Sequence, residues 1–160
     1  YSVIYTLFSV LYKTKHLTTM TMKNFFFPQD YPSPAYSRFL LGVRLLFGIL
    51  FISHGYEKLM DYEVLATVFP DPLGAGASLS LTLVIFAELF CAMAFIAGFL
   101  FRLSVLPMIF AMGVAFFSWH GGGMQEGELS LIYFVVFLMM LVAGPGRYSL
   151  DHLISILKEE

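Results

Sequence analysis

Between Ala75 and Phe101 the chain carries a single charged side chain, Glu88, in an otherwise apolar run. Crossing a hydrocarbon core of roughly 30 Å takes about 20 helical residues, so this run is long enough to span a bilayer. Backbone polar groups inside lipid must be satisfied within their own segment, which makes a helix the form such a run takes. A carboxylate near its middle costs roughly 2.5–3.5 kcal/mol on insertion scales, so Glu88 demands a partner or a function. Three more apolar runs accompany it, about 38–55, 103–119 and 129–143. The last is short for a span unless Glu128 and Gly144 sit in the headgroup layer.

The breaks between the runs are chemically sensible. Pro70-Asp71-Pro72 cannot continue a helix, Gly121-Gly122-Gly123 makes a tip, and Gly144-Pro145-Gly146 stops the fourth run. Arg102 alone separates the second run from the third, which predicts a tight turn. After the first run, Leu59, Tyr62, Leu65 and Val68 fall at helical spacing with charges between them. That stretch reads as a short amphipathic helix on the membrane face, or as a plain loop. The expected fold is therefore all-α, an integral membrane four-helix bundle with a short amphipathic helix after the first span.

Composition agrees. The 160 residues are 59% hydrophobic and 12% charged, against about 45–50% and about 25% in soluble domains. A soluble fold of this size could not cover its surface with so few charges. The net charge of −2 argues against a nucleic-acid partner, so the lipid bilayer is the expected surrounding. The lone cysteine, Cys91, excludes an internal disulfide and a CxxC redox pair, and reads as small apolar packing.

Three segments are expected: a tail over 1–36, the helical domain over 37–153 and a polar tail over 154–160. Within the first, Met22-Lys23-Asn24 has the look of a translation start. Residues 1–21 then read as upstream translation or a disordered tail. If the four spans alternate, Lys23, Arg38, Arg102, Arg147 and Lys158 share one side and Lys58 lies on the other. The positive-inside rule then puts both termini in the cytoplasm.

At about 100° per residue, Arg44, Gly48, Phe51, Gly55 and Lys58 form a narrow stripe on the first helix, with His54 at its margin. Small residues on a charged stripe predict a face turned towards another helix. Arg44, His54, Lys58 and Glu88 are the candidate polar pocket, joined as an Arg44–Glu88 pair or an Arg44–Glu88–His54 network. His120, Glu128 and Tyr133 are further candidates. The same charges could instead neutralise each other and fix helix register. His54 and His120 lack a third ligand at suitable spacing, so no metal site is expected. Met108 and Met112 read as core filling, and Trp119, Tyr133, Tyr148 and Tyr62 as an aromatic belt. No P-loop, GxGxxG, HExxH or Ser–His–Asp spacing specifies hydrolysis or nucleotide chemistry.

Several ordered motifs resemble the DoxX family of small bacterial membrane proteins. Arg44 followed by Phe51-Ile52-Ser53-His54-Gly55-Tyr56-Glu57-Lys58-Leu59 resembles its HGxxK element, and Phe86-Ala87-Glu88-Leu89 its membrane glutamate. Gly98-Phe99-Leu100-Phe101-Arg102 is similar to its glycine-to-arginine turn, and Gly144-Pro145-Gly146-Arg147-Tyr148-Ser149-Leu150-Asp151 to its closing signature. Trp119-His120, Glu128 and Tyr133 sit where the family often has His, Glu and Tyr. The resemblance covers about Ser37 to Leu153. It implies a four-helix protein of the bacterial inner membrane, some relatives of which serve thiosulfate:quinone oxidoreductase or thiol and oxidative-stress complexes.

The leading expectation is thus a membrane subunit of a quinone- or thiol-linked redox system. No intrinsic cofactor site is evident; quinone is the expected ligand and oxidoreductase subunits the expected partners. Arg44 would supply fixed charge, Glu88 would accept a proton, His54 would titrate near neutral pH, and Phe47, Phe51 and Phe95 would form the ring slot. A proton-coupled carrier, which would need a homodimer, and a membrane scaffold with a structural charge pair remain open alternatives.

Overall fold

The computed structural model describes residues 33–72, 74–119 and 121–157. His120, Lys23, Lys158 and the whole of 1–21 therefore lie outside the described residues. The described chain is helical, with four helices long and apolar enough to cross a membrane: α1 (Pro34–Met60), α3 (Ala77–Ala97), α4 (Phe101–Ser118) and α5 (Met124–Ala143). A short α2 (Tyr62–Val68) follows α1, and α6 (Leu150–Leu157) follows α5.

Local chemistry sets the ends. Ser33 caps α1 by accepting from the Tyr36 amide at 3.1 Å, with Pro34 in the first turn, where a missing N–H costs nothing. The described helices run from Pro34 to Leu157. α6 is apolar outward at Leu153 and Ile156 and is fastened inward by buried Asp151 and Ser155. The fourth span is no longer short, because α5 starts at Met124 and takes in Glu126 and Glu128. Glu126 suits its first helical turn, where it faces the positive end of the helix dipole.

α1 and α3 run antiparallel in close contact, and glycines set the register. A Cβ on Gly48 would meet Ile96, and one on Gly55 would lie 2.8 Å from Glu88 Cβ. Small residues let backbones approach where lipid offers no hydrophobic drive for association. Phe51, Phe95, Phe101, Tyr133 and Phe137 fill the centre with tilted and edge-on ring contacts and one stacked pair, Phe95 on Phe101.

α3 is not uniform. Residues Ala87–Cys91 form a π-helical turn, a feature common at functional sites. Before it, Ala77–Phe86 packs on α1 and α2; from Ala87 onward the helix closes against α1 and α4. The two halves of α3 therefore serve different neighbours, and a gap opens beside the first.

Candidate functional site

Glu88 lies within the π turn of α3, its side chain only 3% exposed. Lys58, in the last turn of α1, reaches it with Nζ 2.7 Å from Oε2 and 3.0 Å from Oε1. The ammonium also donates to the His54 carbonyl at 3.4 Å. Lys58 is 26% exposed, so one face of the ion pair is buried and the other is open. One turn back, the His54 ring stands edge-on to Tyr133, centroids 6.0 Å apart. Tyr133 in turn packs on Phe51 and Phe47.

Arg44 belongs elsewhere, which corrects the expected Arg44–Glu88 pairing. The register that sets Gly55 against Glu88 puts Arg44 roughly 16 Å further along α1, at the level of the α3–α4 turn. There it is 1% exposed, donates to carbonyl oxygens and lies over the Phe101 ring, Cζ 5.9 Å from its centroid. Nε donates to Phe95 O at 3.0 Å, Nη1 to Pro145 O and Tyr148 O at 2.8 Å each, and Nη2 to Ile96 O. These are the last carbonyls of α3 and the turn after α5, groups that helix ends leave without partners. A planar guanidinium with five donors suits that task.

Asp151 completes this junction. Its carboxylate accepts from the Leu100 and Phe101 amides at 2.8 Å each, and its own amide donates to Gly98 O at 2.9 Å. It thereby caps α4, whose preceding residue Leu100 sits in the left-handed region at φ +43°. Sequence reasoning quoted Asp151 within the closing motif but gave it no role.

The Lys58–Glu88 pair sits on the wall of a cleft of about 1270 Å³. Its remaining lining is chiefly apolar: Val84 and Phe86 of α3, Met112 and Ala115 of α4, Phe134 of α5. Phe69, Pro70 and Pro72 of the connecting segment also line it. None of Phe47, Phe51 and Phe95 does, because they are packed into the core. The expected ring slot is therefore corrected: the open apolar surface belongs to α3, α4 and α5. Glu128 is exposed, beside a smaller outer hollow with Gln125 and Glu126. Among the described residues no group of three or more His, Cys, Asp and Glu gathers as a metal site would require.

Chemically the cleft offers one ammonium donor, one carboxylate acceptor and an apolar wall. Such a buried pair is held by geometry, since desolvation offsets much of its Coulomb energy.

Residues 39–121 match the DoxX family. The chain is 30% identical to the inner membrane protein YqjF of Escherichia coli, over 72% of this chain and 92% of that protein. It is 28% identical to an uncharacterized membrane protein of Mycobacterium tuberculosis, over 71% of this chain and 79% of that one. An uncharacterized Haemophilus influenzae protein is 31% identical over 72% of this chain and 83% of its own length. No solved structure matches the chain significantly.

Proposed function

The chain belongs to the DoxX family of membrane proteins, and from that premise we propose that it is a quinone-binding membrane subunit of a redox system in the bacterial inner membrane. The observation that carries the reading is the Lys58–Glu88 pair, set inside the span region on the wall of an apolar cleft. A quinone needs a donor at a carbonyl oxygen and an apolar surface for its ring, and a quinol needs an acceptor for its hydroxyl. Lys58 supplies the donor, Glu88 the acceptor and Val84, Met112 and Phe134 the surface. His54, one turn from Lys58, lines the same cleft and is the relay to the outer face. When bound, the quinone supplies two-electron, two-proton redox chemistry, and a partner oxidoreductase holds the electron-carrying group. Arg38, Arg102 and Arg147 sharing one side of the spans supports a reading with both termini in the cytoplasm, and Lys58 and the cleft towards the other side.

Glu88→Gln tests the reading. The amide oxygen still accepts from Lys58, so the protein reaches the membrane at its normal level. The lost charge-assisted bond, about 1.5–3 kcal/mol, weakens quinol-dependent turnover roughly 10- to 100-fold. A fall in activity that merely follows a fall in protein level would overturn it.

A further inference from the structure

We infer that the cleft is reached sideways, from within the bilayer, and that its ligand carries an apolar tail lying between α3 and α4. For the head of that ligand this rests on the quinone reading; the route and the tail go beyond it.

Size is the first ground. Pockets that enclose a drug-sized molecule run to about 300–1,000 Å³, and this cleft measures about 1270 Å³. Its charged groups are gathered in one place, the Lys58–Glu88 pair. A single ring bonded there leaves most of the volume to something apolar. The α4 lining runs from Leu103 to Ser118, roughly 22 Å by helical rise, which is most of a hydrocarbon core of roughly 30 Å.

The second ground is where the wall is missing. Because Ala77–Phe86 leans on α1 and α2, protein does not close the gap between it and α4. Leu83 and Phe86 form one rim; Leu106, Phe110 and Phe117 form the other, and all five are between 49% and 62% exposed. On spans, exposure of this kind is to acyl chains.

The third is that the opposite approach is covered. Phe69, Pro70 and Pro72 lie against the cleft beyond the end of α1. Asp71 ties this cover to α3, accepting from the Ala75 and Gly76 amides at 2.9 and 2.6 Å and from Ser80 Oγ at 2.8 Å. The connecting segment covers the cleft on the side towards water, and the exposed rims face lipid. A tail moving from lipid into such a groove gains little hydrophobic energy, since both surroundings are apolar. Its effect is to bring the head to the site at membrane concentration and to select by shape.

Two photoreactive probes test this with the full-length protein in phospholipid nanodiscs. One is a decyl benzoquinone with a diazirine at the tail end; the other is a phospholipid with a diazirine at one acyl end. The expected result is labelling by the quinone probe within 83–86 and 103–117, suppressed by excess unlabelled decyl benzoquinone. Suppressible labelling confined to 69–76 overturns the lateral route and leaves the quinone reading standing. If no quinone labelling is suppressible but the phospholipid probe marks Met112 and Ala115 inside the cleft, the route holds and the quinone reading fails. If neither probe reaches those residues, the lateral route is wrong. Leu83→Trp with Leu106→Trp, two lipid-facing positions outside the core, should close the mouth and abolish labelling of Met112 and Ala115.

Discussion

Among individual residues, two cations on one helix stripe have opposite characters. Arg44 is spent on four carbonyl oxygens, whereas Lys58 meets the one carboxylate buried within a span. Arg44→Leu takes the guanidinium from those carbonyls, of which Phe95 O keeps the Gly98 amide, and should cost about 3 kcal/mol, at about 1–3 kcal/mol per unsatisfied buried group. Arg44→Lys should not rescue it, because a point charge cannot serve oxygens spread over two segments. Urea unfolding in mixed micelles reads both. For the ion pair, Glu88→Leu alone leaves a cation beside lipid and should cost about 3–5 kcal/mol. Adding Lys58→Met should recover most of that stability while leaving no quinone response. A double variant as unstable as the single one would show that the pair contributes more than mutual neutralisation. The stripe itself was legible from helical periodicity, as was the importance of Glu88. Which cation meets Glu88 was not, because that depends on a register set by Gly48 and Gly55 against α3, and both glycines look alike in sequence.

The helices themselves were plain in the apolar runs, and the turns in their prolines and glycines. What the runs hide is the change of direction within α3. A π turn has no distinctive composition, and Ala87–Cys91 reads like any other part of an apolar span. The start of α5 was equally obscured, since Glu126 and Glu128 resemble loop until they are known to lie within the helix, Glu126 in its first turn. Two predictions belong to the elements. Gly55→Val forces branched carbons against Glu88 Cβ and Leu89, where even a Cβ would sit 2.8 and 2.9 Å away, and should separate α1 from α3. Gly42→Ala has open space and should be neutral or slightly stabilising. Thermal unfolding of the two variants side by side distinguishes them. The second concerns the Asp71 tie in the turn ahead of α3. Hydrogen bonds from Ser80 and the Gly76 amide hold the Asp71 carboxyl below the usual carboxylate range. A depressed folded value means that the tie contributes fully above the ordinary Asp range and fails as pH falls through the lower, folded value. Amide exchange at Ala75 and Gly76, corrected for its intrinsic pH dependence, should therefore lose protection only in that acidic window. Asp71→Asn should remove the pH dependence.

For the molecule as a whole, the bundle is closed and packed at the α3–α4 turn and parted at the other end. The closed end holds Arg44, Asp151 and the aromatic core; the parted end holds Lys58, Glu88 and the cleft. Family membership was readable because its motifs fall at chain turns and charged positions. The cleft was not, because it arises from how whole helices lean. The arrangement of the closed end also has a consequence in time. Arg44 lies in the first of the four described spans, yet two of its acceptors, Pro145 O and Tyr148 O, come after the fourth. Asp151, which caps α4, is made later still. A nascent chain must therefore keep α1 waiting in the membrane until the segment that follows α5 has been made. A ribosome that stops at Ala143 would release four complete spans with their latch missing, and a cell's quality control could distinguish that product from a finished one.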